Sequence, residues 1–307
     1  MKRWLATGIV LALAACQPPD PLAQDRAACA DEDRLYEARV AACTRLIESG
    51  ELDDAARAEV QALRADAHYT HDAVTPALRD FEAALRLDEN NARALEGRAE
   101  ILLASGQLDA AEPLVDRLID GGNASANALR IKGDIALQRA AYTDAIEHYD
   151  DALAADRGLA LAYAHRGRAK ERLGDSVGAR ADYGSAIQID GALAEARAGR
   201  CWLNLREQRD LEQARNDAEA AAAAEPQNVD AQLCRGVLQL RGGEWANARR
   251  SFEAALEVEP GNPTALFGRG VARRRSGEEQ GRADMNQARD FDRHVAEAFR
   301  EWGVETY

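Results

Sequence analysis

The chain has 307 residues, a mass of 33.3 kDa and a net charge of −14; 46% of it is hydrophobic but only 5% aromatic. That length supports a sizeable core, and beyond the N-terminus no apolar run reaches the roughly 20 residues that a membrane-spanning helix needs. Alanine-rich, proline-poor composition favours helices over sheets, and a sequence pI near 4.9 repels phosphate backbones, which argues against a nucleic-acid partner.

At the front, Lys2 and Arg3 precede an apolar stretch from Trp4 to Ala12, the charged and apolar regions of an export signal. Small residues then lead into Leu13-Ala14-Ala15-Cys16. These four residues resemble the bacterial lipoprotein box. The resemblance implies cleavage before Cys16, acylation of its thiol and durable membrane anchoring; an ordinary secretory signal with an incidental cysteine is the alternative. It also implies that Gln17, in place of an aspartate, directs the protein to the outer membrane, facing the periplasm. Residues 1–15 are thus expected to be a signal peptide. Residues 16–30, which begin Cys16-Gln17-Pro18-Pro19-Asp20-Pro21, are expected to be the lipidated cysteine and a flexible tether. Cleavage removes Lys2 and Arg3 and no acid, so the net charge deepens from −14 to −16.

Export leaves Cys29, Cys43, Cys201 and Cys234, an even number in an oxidising compartment. Four cysteines allow three pairings. The favoured one joins Cys29 to Cys43 and staples the N-terminal segment onto the first full helix. Pairing of Cys201 with Cys234 stays open, with free buried thiols as the alternative.

Residues 31–52 carry the stripe Leu35, Val40, Cys43 and Ile47 and read as a lone N-terminal capping helix. A repeat begins at residue 53 and runs to 291. Small residues recur at Ala65, Ala99, Gly133, Gly167, Cys201, Gly236 and Gly270, spaced 34, 34, 34, 34, 35 and 34. A second series, Ala77, Ala111, Ala145, Ala179, Ala214 and Ala248, follows twelve or thirteen residues later, with the single extra residue placed near Gln208 and Arg209. Together with Tyr149, Tyr183, Phe252, Pro226 and Pro260, these positions resemble the tetratricopeptide repeat. The resemblance implies an all-α fold: a right-handed α-solenoid of about seven helix-turn-helix repeats with capping helices at both ends. The physics agrees, because a small residue lets two helices cross closely and no single hairpin can bury its apolar face alone. Residues 292–307, marked by Phe291, Val295, Ala298, Phe299 and Trp302, read as the C-terminal cap, with a helix starting at Asp292.

One step before each crossing residue stands a base: Arg64, Arg98, Lys132, Arg166, Arg200, Arg235 and Arg269. Acids at matching levels in the second helices, Asp80, Asp182, Asp217 and Asp284, read as their ion-pair partners, so this column is structural. A second column, Arg172, Arg206, Arg241 and Arg275, falls where the repeat family faces its concave groove. By the same carry-over the groove includes Arg130, Arg168, Trp202, Leu205, Val237, Leu240, Phe267, Val271 and Arg274. A groove apolar along one line and cationic along another suits an acidic or extended peptide; arginines late in helices that only complement the dipole are the alternative. The asparagines of the carboxylate clamp of chaperone-binding repeats are missing, since Asp134, Arg168 and Trp202 stand where one of them belongs.

No catalytic residue is assigned. There is no nucleophile elbow and no phosphate loop. Among five histidines only His68 and His71 have helical metal spacing, and they lack a third ligand, so no metal and no cofactor is expected. The function expected from these readings is a protein–protein interaction adaptor in envelope assembly, anchored to the membrane through Cys16. The alternative is a peptidoglycan-directed protein or regulator of cell-wall enzymes, with Trp202, Trp245 and Arg206 on the ligand; a plain spacer is a third option.

Overall fold

A computed structural model describes residues 22–122 and 124–306. The signal peptide, Cys16 and the segment Gln17 to Pro21 lie outside the described residues. Among the described residues all regular structure is helical, and no helix is long and apolar enough to cross a membrane. The chain divides into two compact units, Met1–Ile101 and Leu102–Tyr307.

The first unit contains α1 (Ala23–Ala30), α2 (Tyr36–Glu48), α3 (Asp54–Thr70), α4 (Val74–Leu87) and most of α5 (Ala92–Ala104). It departs from the sequence expectation in two places. The segment read as a tether to residue 30 is helical from Ala23, and the cap is therefore a pair of helices, not a lone one. A disulfide joins Cys29 of α1 to Cys43 of α2, with Cα atoms 4.9 Å apart, and Arg39 donates from Nε to the Cys29 carbonyl. Tyr36 spans α2 and α3: its ring stacks on His71 at 4.0 Å and its hydroxyl meets His68 Nδ1 at 3.1 Å. Both histidines therefore serve packing, and no group of three or more metal-ligating side chains occurs among the described residues.

The second unit continues with α6 (Leu108–Asp120), α7 (Ala126–Gln138), α8 (Tyr142–Ala155), α9 (Ala160–Arg172), α10 (Ser176–Ile189), α11 (Ala194–Arg206) and α12 (Leu211–Ala224). It closes with α13 (Val229–Arg241), α14 (Trp245–Val258), α15 (Pro263–Arg275), α16 (Gly281–Phe291) and α17 (Val295–Glu301). Several first helices open on a side-chain cap: Ser125, Asn228 and Asn262 each accept the amide three residues on. The turn inside each hairpin places one residue in the left-handed region at 34- or 35-residue intervals, at Asp72, Gly106, Ala140, Gly174, Gln208, Gly243 and Gly277. Four are glycine, which takes that backbone without strain. The extra residue of the α11–α12 turn adds a second left-handed position, Asp210 at φ 45°.

Hairpin packing follows one rule. The ring of Phe252 on α14 is clamped between two glycines: an ideal Cβ at Gly236 would lie 2.7 Å from it, and one at Gly268 of the next hairpin 2.3 Å. Tyr183 sits likewise between Gly167 and Gly199. The base column is spent within the fold. Arg64 holds Asp80, Arg166 holds Asp182, Arg200 holds Asp217 and Arg269 holds Asp284, all through two guanidinium nitrogens at 2.6–2.9 Å. Three members depart: Arg235 donates to Ser251 Oγ, Lys132 turns back to Asp116 and Glu112 on α6, and Arg98 turns back toward Glu82 on α4 at 3.8 Å.

Candidate functional site

In the second unit the first helices of successive hairpins touch one another, α7 on α9, α9 on α11, α11 on α13 and α13 on α15. They form the inner face, on which the expected groove residues lie. Their fates differ. Leu205, Val237, Leu240 and Phe267 do not line an open groove; none is more than 2% exposed. They share one core with Phe299 and Val304, because the C-terminal segment is laid over this stretch of the inner helices.

That segment departs from the expected helix starting at Asp292. Asp292 instead terminates α16, and α17 spans only seven residues before the chain turns at Gly303, φ 77°. Phe299 meets the ring of Phe267 at 4.9 Å, and Trp302 packs edge-on against Trp202 at 5.0 Å. Two groove arginines hold the end of this segment. Arg241 donates from Nη1 to the Trp302 carbonyl at 3.0 Å and to Gln208 Oε1 at 2.6 Å, while Gln208 donates to the Glu301 carbonyl. Arg275 donates to the Glu305 carboxylate at 3.2 Å and rests on the Trp245 ring. The groove is therefore already filled by its own chain at α13 and α15.

Towards α9 it is open. A cleft of about 250 Å³ lies between α9, α11 and α13, lined by Arg168, Glu171, Arg172, Trp202, Arg206 and Asp230 among others. Arg206 pairs with Glu171 at 2.5 Å and Arg168 with Glu195 at 3.5 Å. Glu171 also accepts from the Tyr183 hydroxyl at 2.9 Å; burial and this carboxylate push the phenol far above its ordinary range. Trp202 fixes one wall by donating its indole N–H to the Asp230 carbonyl at 3.0 Å. Arg172, exposed at the end of α9, has no ion pair among the described residues. The Asp230 carboxyl is raised above the usual carboxylate range by burial, with Arg168 and Arg206 pulling it back only in part.

Behind the cleft runs a polar line. Asp134 on α7 accepts from Arg130, from the Tyr149 hydroxyl at 2.6 Å and from His165 Nδ1 at 2.5 Å, and His165 Nε2 donates to Glu195 at 3.1 Å. Burial works against a charge on His165, but Asp134 and Glu195 outweigh it and lift its pKa to about 10. The imidazolium takes the place, over the Tyr149 ring, that Gly199 takes over Tyr183. Glu171, Glu195 and Asp230 were not singled out from the sequence. A signal was present, since Glu195 and Asp230 stand 35 residues apart in the same helix register.

Residues 72–135 match one tetratricopeptide-repeat family model, and residues 203–249 and 235–284 match another. No curated protein matches the sequence. Among solved structures the chain is similar to the Cut9–Hcn1 hetero-tetramer of the APC/C, with a TM-score of 0.62 and 14% identity over 91% of this chain and 55% of that one. It thus spans about half of that larger protein. It is also similar to PilF of Pseudomonas aeruginosa, with a TM-score of 0.56 and 14% identity over 68% of this chain and 94% of that one. A tetratricopeptide repeat protein from Parabacteroides merdae gives a TM-score of 0.51 and 16% identity over 80% and 98%. These likenesses are to the fold: the chain carries tetratricopeptide repeats, arranged as an all-α solenoid.

Proposed function

We propose that this protein is an outer-membrane-anchored lipoprotein that faces the periplasm and holds an extended peptide segment of an envelope-assembly partner in the cleft between α9, α11 and α13. Tetratricopeptide repeats are generally protein–protein interaction scaffolds without catalysis of their own. The observation that carries the reading is the cleft itself, open on the inner face with a free cation, Arg172, at its rim and an indole wall. The chain's own tail illustrates the chemistry, since a non-helical stretch with a carboxylate at Glu305 already lies on Arg241 and Arg275 of the same face. Export is supported by the Leu13-Ala14-Ala15-Cys16 box and by two disulfides, which are rare in reducing compartments.

A wall-directed role draws less support. Arg206 is already spent on Glu171, and the Trp245 ring lies beneath Arg275, so two of the three residues expected to meet a glycan or stem peptide are engaged. Replacing Cys16 with alanine is expected to move the protein from the membrane pellet to the soluble periplasmic fraction. Arg172→Glu is expected to abolish co-purification of one envelope protein from detergent extracts, while Arg250→Glu on the opposite helix layer leaves it intact. Membrane retention of the Cys16 variant, or unchanged co-purification with Arg172→Glu, contradicts the reading. Sedimentation with purified wall in place of a protein partner replaces it with the wall-directed one.

A further inference from the structure

We infer that the cleft between α9, α11 and α13 recognises a segment of mixed charge, with an acidic group seated at Arg172 and a basic group seated at Asp230 across the Trp202 indole. The inference rests on the peptide-binding reading above and narrows it. An acidic or extended peptide was the expectation from the arginine column, but the cleft is not cationic: three arginines face three carboxylates.

Pairing within the cleft decides what remains for a ligand. Arg206 is matched to Glu171 and Arg168 to Glu195, and Glu195 is tied further to His165. Those groups are spent. Among the described residues Arg172 on α9 and Asp230 on α13 are left without an ion-pair partner within 4 Å, one charge of each sign on opposite sides of α11. An all-acidic segment would satisfy Arg172 but bring its second charge toward Asp230, Glu171 and Glu195, inside a protein of net charge −14. An all-basic segment meets the reverse problem at Arg172 and Arg168. Only a ligand with an acid toward α9 and a base toward α13 complements both free groups. The burial that raises the Asp230 carboxyl makes the same point, because a cation placed there relieves the cost of ionising it.

Trp202 supplies the middle contact. Its indole N–H is occupied by the Asp230 carbonyl, so the ring is held in place and offers its partly exposed apolar surface. The preferred segment is then acid, apolar residue, base, read from α9 to α13, and the order is directional.

Fluorescence anisotropy with the mature protein and end-blocked, labelled pentapeptides tests this: Glu-Ala-Leu-Ala-Lys, its reversed sequence, and versions with two Glu or two Lys. At low ionic strength at least one of the two mixed peptides is expected to bind tenfold or more tighter than the two-Glu and two-Lys peptides. Asp230→Asn should erase the advantage conferred by Lys alone, and Arg172→Gln the advantage conferred by Glu alone. The double swap Arg172→Glu with Asp230→Arg should invert the preferred order. Neither side chain belongs to the buried core, so melting curves serve to show that each variant is folded. Tightest binding by the two-Glu peptide, strengthened by Asp230→Asn, overturns the inference, and so does absence of mixed-peptide binding at millimolar concentration. In-cell capture that depends on Arg172 while the two-Glu peptide wins sinks only this inference; loss of any dependence on Arg172 in cells sinks the reading beneath it.

Discussion

Phe299→Ala is expected to destabilise the second unit by about 3–5 kcal/mol, the cost of removing a buried phenylalanine from a core that cannot collapse around the hole. Its ring is fully buried and touches Phe252, Phe267 and Trp302. The loss should not be shared evenly along the solenoid. Stacked repeats depend on their nearest neighbours, so α15 and α16 should loosen first, followed by the stretch of inner face around Leu240 and Val237. Hydrogen exchange resolved along the chain checks this pattern, with Phe299→Leu as a control that preserves most of the volume. Deletion of residues 292–307 should behave like an exaggerated Phe299→Ala and expose enough apolar surface to aggregate. Uniform protection and an unchanged melting midpoint in Phe299→Ala would mean that the C-terminal segment does not cover the groove.

Loss of the Cys201–Cys234 disulfide is expected to cost about 3–4 kcal/mol, the chain-entropy value for a loop of this length, the two cysteines being 33 residues apart. The bridge fills a particular gap. Most hairpins bring an aromatic ring or another bulky side chain up to the crossing, as Phe81, Tyr149, Tyr183 and Phe252 do; the α11–α12 hairpin has Ala218 at that level. Cys201 stands where other hairpins have the crossing glycine, and Cys234 stands where the next hairpin would have its second glycine. The disulfide thus occupies the space of the missing ring. Cys201→Ala with Cys234→Ala should lower the melting temperature, and reductant should then have little further effect beyond that of the Cys29–Cys43 bridge. The triple change Cys201→Gly, Ala218→Phe, Cys234→Gly rebuilds the glycine, ring, glycine clamp and should recover much of the loss. A melting temperature unaffected by the double alanine change would contradict this account.

The parts of the fold legible in the sequence are those set by contacts repeated within a hairpin. Ala65, Gly133, Gly236 and Gly270 recur because the residue at the crossing must leave room for the ring or helix packed on it, and four of the bases one step earlier, Arg64, Arg166, Arg200 and Arg269, meet acids about sixteen residues on. Short-range geometry of that kind repeats with the sequence. The left-handed turn positions were legible in principle through Gly106, Gly174, Gly243 and Gly277, although Asp72, Ala140 and Gln208 conceal the period.

The groove was less legible, for a different reason. Whether Leu205 or Leu240 faces solvent is decided by where a segment some 60 to 100 residues later in the chain comes to rest. No periodicity reports that. The four groove arginines are alike in register yet end with unlike partners: Glu171 for Arg206, the Trp302 carbonyl for Arg241, Glu305 for Arg275 and no ion pair for Arg172. The helix α1 was missed because the proline-rich stretch before it lent its character to residues 22–30. Asp134 with His165 and Glu195 was missed because each belongs to a different hairpin, about 30 residues from the next.

The central claim, that a partner sits in the cleft between α9, α11 and α13, is tested most directly by photo-crosslinking in living cells. The reactive residue is placed at Arg168, an exposed residue of the cleft lining, so that Arg172 stays intact, with Gln188, exposed on α10, as the control on the second-helix layer. One envelope protein captured from position 168 and not from Gln188 is the predicted result. No adduct at position 168, or the same adducts from both positions, would contradict it.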